Sequence, residues 1–100
     1  MKKDKNQILT EKCDEVAGLL KYLSHPQRLI LLCQIADSPK TVGDLQELCG
    51  MSQSLTSQFL AKMKAEGLIS SQKDGKFVTY RIEDDRVAKV INSLSKIFCE

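Results

Sequence analysis

Residues 41–69 read TVGDLQELCGMSQSLTSQFLAKMKAEGLI, and the fold turns on this stretch. Thr41 is a good helix cap, and Val42, Leu45 and Leu48 follow it at helical spacing. Gly50 suits the left-handed conformation that ends a helix. Ser52 then caps a further helix whose Leu55, Phe59, Leu60 and Met63 recur three and four residues apart. Gly67 closes that helix. Helix, tight glycine turn and helix is the layout of a helix-turn-helix.

The flanks extend this unit. Downstream, LISSQKDGKFVTYRI (68–82) changes to a period of two, and Asp74-Gly75 predicts a hairpin turn in which both positions take positive φ. A two-stranded hairpin directly after a helix-turn-helix is a wing. Val87, Val90, Ile91, Leu94, Ile97 and Phe98 then line one face of a last helix. Upstream, Leu9, Cys13, Val16, Leu20 and Leu23 predict one amphipathic helix over about residues 9–22. In SHPQRLILLCQIA (24–36), Ser24 is the expected cap, with Pro26 in the first turn. Leu29 to Cys33 is apolar all round and predicts a helix buried on most sides. The expected fold is mainly α with a small β-hairpin: four helices, the wing and a fifth helix, in a single domain over residues 1–100. The first and last helices carry more apolar surface than one winged core needs, so they are expected to pair two copies in a two-fold dimer.

Composition narrows the function. No apolar run approaches the roughly 20 residues that span a bilayer. The start, MKKDKNQILT, lacks an apolar signal region, so a cytoplasmic protein without a membrane partner is expected. The four cysteines show no C-x-x-C spacing, and a reducing compartment favours transient, redox-linked disulfides over a permanent framework. An enzyme is disfavoured. A single His leaves little for acid–base work, and the chain shows no phosphate loop or paired carboxylates. No cofactor is implied.

Net charge is only +2, but between Gln53 and Arg81 five cations stand against two anions. That local excess suits a phosphate-facing surface. With Leu55, Phe59, Leu60 and Met63 facing inward, Ser52, Gln53, Ser54, Thr56, Ser57 and Gln58 are left at the exposed start of the second helix of the motif. Gln can pair with adenine, and Ser or Thr can donate or accept at base edges. A recognition helix presents its N-terminal residues to the major groove. Lys62, Lys64, Lys73 and Lys76 are expected on phosphates, where they supply affinity without sequence information. The predicted partner is double-stranded operator DNA. A winged protein-interaction module without DNA binding is the alternative from another class.

LSHPQRLILL (23–32), the stretch 41–69 and GKFVTYRI (75–82) together resemble the ArsR/SmtB winged-helix repressors, over roughly Leu19 to Cys99. The resemblance implies a dimeric bacterial repressor that leaves its operator when an inducer binds. Many relatives carry His where Phe59 stands, and Phe59 is expected to pack inward. One family metal site uses a C-x-C-type motif on the first helix of the motif. Thr41 and Gly43 occupy those positions here, and neither is a thiolate. Another uses Asp and His on the last helix, which here has no His. His25 lies in the SHP signature and is expected to be structural. No metal site is therefore predicted. A metalloid held by Cys13, Cys33 and Cys49, or with Cys99, stays open as an alternative.

Cys33, in LILLCQI, and Cys99, in SKIFCE, match the two cysteine positions of the BigR-like persulfide sensors. That resemblance implies a redox-sensing pair within one protomer, with reactive sulfur or another oxidant as inducer. Spacing alone favours Cys33 as core, since free Cys packs like a small hydrophobe. Cys13 reads as core on the first helix. Cys49, just before Gly50, is a second thiol close to the DNA-reading unit.

Overall fold

The computed structural model describes residues 2–99. Its elements run α1 (Lys5–Glu11), α2 (Cys13–Leu23), α3 (Pro26–Asp37), β1 (Lys40–Thr41), α4 (Val42–Cys49), α5 (Gln53–Ala65), β2 (Ile69–Asp74), β3 (Phe77–Ile82) and α6 (Asp85–Phe98). This is a winged helix-turn-helix with α4 and α5 as the motif and β2–β3 as the wing.

The caps set the motif's geometry. Thr41 and Asp44 form a reciprocal capping box at the start of α4. Gly50 follows with φ of 64°, a conformation that a side chain makes costly. Ser52 Oγ accepts the Leu55 N–H at 3.1 Å to begin α5. At its far end Leu68 N–H donates to Met63 O and Gly67 N–H to Lys64 O, both at 3.0 Å, with Gly67 at φ of 78°. That is the Schellman pattern, and it turns Leu68 back into the core beside Met63.

The core lies where α3, α4, α5, the wing base and α6 meet. Leu31, Leu32, Leu45, Leu60, Met63, Ile69 and Val87 are almost fully buried there. The cluster is nearly all aliphatic, with Phe59 and Tyr80 packed at its margin, so Phe59 does pack inward. Its ring also meets that of His25, with centroids 5.2 Å apart.

Several expectations are corrected. The first predicted helix is two helices that break at Lys12. Thr10 Oγ1 donates to Asn6 O at 2.8 Å and Cys13 Sγ to Leu9 O at 3.4 Å, and such back-bonds compete for the carbonyls that continue a helix. Cys13 is exposed and not core. His25, not Ser24, caps α3: its Nδ1 accepts the Gln27 N–H at 3.2 Å. Ile30 and Cys33 are exposed, so α3 is covered on fewer sides than its composition predicts. Leu48 is also exposed. The hairpin turn is Gly75-Lys76, one residue later than predicted, because Asp74 pairs with Phe77. Only Gly75 has positive φ, at the first turn position. The sheet gains a third strand, in the order β1-β3-β2, with Lys40 opposite Tyr80 and Thr41 opposite Thr79.

The radius of gyration is 15.4 Å, above the ~13 Å of a compact domain this long. The excess comes from elements that stand off the core. No residue of α1 is buried, and Ile97 and Phe98 at the end of α6 are 67% and 79% exposed.

Candidate functional site

Two surfaces bear the chemistry. The first is the start of α5 with the wing. Ser52, Gln53, Ser54, Ser57 and Gln58 are exposed there, and so are Lys62, Lys73 and Lys76. Thr56 is not with them, which corrects its place among the DNA-facing residues. It lies four residues before Leu60, on the inward face of α5, and is fully buried. Its Oγ1 donates to Ser52 O at 2.7 Å, so its polar group is spent on the helix's own first turn. Lys64 is also committed elsewhere. Its Nζ donates to Ser71 Oγ at 2.7 Å and ties the end of α5 to the wing. Within the wing, Arg81 donates to Gln72 Oε1 at 2.7 Å.

Arg28 anchors this unit from behind. It is 8% exposed, and its Nη1 lies 3.5 Å from Glu66 Oε1 at the C-cap of α5 and 3.4 Å from Tyr22 O. The contact with Glu66 is an ion pair without hydrogen-bond alignment, since Arg28 Nε and Glu66 Oε1 have no hydrogen-bond partner. The guanidinium also stands 5.9 Å from the Tyr22 ring centroid, within cation–π range.

The second surface is a cavity of about 570 Å³ between α3 and α6. Leu29, Cys33, Ala36 and Asp37 line it from α3, and Ile91, Asn92, Leu94, Ser95 and Phe98 from α6, with Cys99 at the C-cap of that helix. Cys33 and Cys99 thus line the same partly open groove, and all four cysteines are free thiols. The Cys33 residue is exposed as a whole, yet the apolar lining buries its sulfur enough to push the thiol up, and negative charge at Cys99 pushes it further. Burial also raises the Cys49 thiol, with a smaller effect from Cys33. Cys49 is half-buried against the core and does not line the cavity.

The cavity-lining partners of the two cysteines were not singled out from the sequence. The signal was present: Leu29, Cys33 and Asp37 repeat every four residues, and Asn92, Ser95 and Cys99 at three and four. Among the described residues, no group of three or more His, Cys, Asp or Glu side chains is arranged to hold a metal ion. Nor is any described helix long and apolar enough to cross a membrane.

Comparison with known proteins agrees with this architecture. Residues 25–71 match the family described as "Bacterial regulatory protein, arsR family". The chain is 42% identical over 92 residues to the HTH-type transcriptional regulator YgaV of Escherichia coli, covering 91% of this chain and 93% of that one. Its fold is similar to the crystal structure of the transcriptional repressor BigR from Xylella fastidiosa, with a TM-score of 0.85, 33% identity, and 97% and 99% of the two chains covered. It is also similar to a homodimeric winged helix-turn-helix DNA-binding domain from Mycobacterium bovis, with a TM-score of 0.71, 26% identity, and 96% and 86% covered. With a helix-turn-helix, a wing and relatives of this identity along nearly its whole length, the chain belongs to the bacterial arsR family of transcriptional regulators.

Proposed function

We propose that the protein is a homodimeric repressor that holds operator DNA while Cys33 and Cys99 are reduced and releases it when reactive sulfur or another oxidant links them. The observation that carries this reading is the shared cavity: two thiols from α3 and α6 line one space.

The DNA contact is built from the first turns of α5. Gln53, Ser54, Ser57 and Gln58 meet base edges, while Lys62, Lys73 and Lys76 meet phosphates. The dimer forms through the exposed apolar faces of α1, α2 and α6, where Leu9, Leu20, Ile97 and Phe98 lack cover within the protomer. The homodimeric relative from Mycobacterium bovis supports this assembly.

The chemistry balances with a hydropersulfide, R–S–SH, as the two-electron oxidant. One thiolate attacks its terminal sulfur, forming a cysteine persulfide and expelling RS⁻. The second thiolate attacks the cysteine-bound sulfur and expels HS⁻. Two protein thiols lose two electrons, and the donor leaves as a thiol and hydrogen sulfide. The new bond ties α6 to α3. Because α6 also carries dimer surface, the link changes how two α5 helices sit on half-sites about 34–36 Å apart. A coupling of roughly 1–3 kcal/mol, a 5–150-fold change in affinity, is sufficient for release.

The test is operator binding by gel shift with Cys33→Ser and Cys99→Ser, before and after a persulfide donor. Both variants should bind as the parent does and fail to release. Normal release by both would discard the pair as the switch.

A further inference from the structure

A depression of about 370 Å³ lies on the flank of α5, where its last turns meet the junction of α2 with α3. Gly18, Lys21 and Tyr22 line it from α2, Arg28 from α3, and Lys62 from α5 with Glu66 at the C-cap. Three cations face one acid there. Glu66 is already matched, since its Oε1 lies 3.5 Å from Arg28 Nη1. Lys21 and Lys62 are exposed, and neither takes part in an ion pair among the described residues. The depression therefore keeps two uncompensated ammonium groups.

Arg28 forms the floor. It is 8% exposed, and its described polar contacts run through Nη1, to Tyr22 O and to Glu66. Its Nε has no hydrogen-bond partner. A guanidinium carries five N–H donors, so most of this one's donor capacity goes unused by the protein. A buried donor without an acceptor is costly, and the chain supplies none for it. Gly18 leaves one wall without a side chain, and a Cβ there would meet no atom within 4 Å.

Phosphate suits this set. Arg presents a fork of donors to it and Lys a point charge. Lys21, Arg28 and Lys62 stand on three different helices, and the oxygens of a tetrahedral anion point apart far enough to meet groups from several sides. Cationic walls around a concave space also concentrate anions. Ser54, Gln58, Lys62 and Glu66 repeat every four residues along one ridge of α5. Ser54 and Gln58 face bases in the reading above, and Lys62 stands about 6 Å farther along the helix axis. A strand phosphate bordering the groove is one source for the site, and a free phosphate is the other.

We propose that this depression is a phosphate-binding site in which Lys21 and Lys62 grip the oxyanion above Arg28. Its use on a DNA strand rests on the DNA-binding reading above, and its use on a free phosphate does not.

The test compares the full-length parent with Lys21→Ala and with Lys89→Ala, which removes an exposed lysine outside the depression. Fluorescence anisotropy follows operator and random duplexes over a series of salt concentrations. Amide shifts in ¹H–¹⁵N spectra follow inorganic phosphate as it replaces chloride at constant ionic strength. For a strand phosphate, Lys21→Ala should weaken both duplexes alike and reduce each salt slope by about one per protomer, with Lys89→Ala at the parent slopes. Gly18→Glu, which sets a carboxylate on the wall, should act in the same direction, and Gly18→Gln much less. For a free phosphate, the slopes should stay at the parent values. Inorganic phosphate should then shift the Gly18 and Tyr22 amides at low millimolar concentration in the parent and not in Lys21→Ala. Parent slopes in Lys21→Ala with no phosphate-dependent shift would overturn the site, and so would an equal loss of slope in Lys89→Ala. A parent that binds neither duplex, while phosphate still shifts those amides, would overturn the DNA reading and leave the site standing.

Discussion

Cys33 on α3 and Cys99 at the end of α6 line a single cavity, although one lies in the first half of the chain and the other is its last described residue. Packing of α6 across α3 brings them together, and that packing is fixed by Val87 and Ile91 reaching into the core. The same helix ends in Ile97 and Phe98, which point away from the core. One element therefore carries both a groove-lining thiol and exposed apolar surface.

The charge on Cys99 acts on Cys33. Burial is the larger cause of the raised Cys33 thiol and Cys99 the smaller. Alkylation of Cys33 by iodoacetamide, followed by peptide mass, should rise with pH and reach half its maximum above the value for the urea-unfolded chain. Cys99→Ser should move that midpoint down part of the way, because burial remains. The folded state holds this proton more tightly, so the group also lowers stability as pH climbs from the unfolded to the folded value. A midpoint unchanged by Cys99→Ser would show that the thiols do not sense each other.

The exposed apolar surface should behave as an interface. Leu20 and Phe98 are 48% and 79% exposed within the protomer, so Leu20→Glu and Phe98→Glu should leave the circular dichroism spectrum intact. Both should convert a dimer to a monomer in sedimentation. Operator affinity should fall by on the order of a hundredfold, since each half-site is then bound alone. A parent protein that sediments as a monomer would refute this assembly.

Thr56 and Gln53 separate structure from readout on one helix. Thr56→Val removes the hydroxyl bond to Ser52 O but leaves that carbonyl with the Thr56 N–H at 3.0 Å. It should cost about 1 kcal/mol in urea unfolding and leave the ratio of operator to random DNA binding unchanged. Gln53→Ala should lower that ratio by about 1–3 kcal/mol equivalent. Lys76→Ala should weaken both DNAs and reduce the salt slope by about one. Equal losses from Gln53→Ala on operator and random DNA would remove it from direct readout.

Arg28 and Glu66 form a largely buried charge pair that holds α3 to the end of the recognition helix. Arg28→Ala removes the ion-pair partner of Glu66, in a depression also lined by Lys21 and Lys62, and should cost about 1–3 kcal/mol in urea unfolding. Arg28→Met combined with Glu66→Leu should lose much less, because neither charge is then stranded. If the double variant loses as much as the single one, the pair's value lies in packing and not in charge.

Local chemistry was legible from the residues alone. Thr41, Gly50, Ser52 and Gly67 mark where helices begin and end, because caps and positive-φ positions depend on neighbours a few residues away. The period-two run after Leu68 marks the wing for the same reason. The chain's own spacing also placed Leu45, Leu60 and Met63 in the core. What depended on distant partners was not legible. Thr56 reads as a polar surface residue until α5 is seen to turn it inward, and His25 shares its duty with Phe59 from another helix. Composition marked Cys33 as core, and tertiary packing left it exposed beside a cavity, because an all-apolar helix needs cover on every side and a single protomer does not supply it. Sequence determined the helix-turn-helix and its wing through short-range hydrogen bonding and periodicity. Only the folded chain decided which thiols line a common groove, since that follows from how helices far apart in sequence pack.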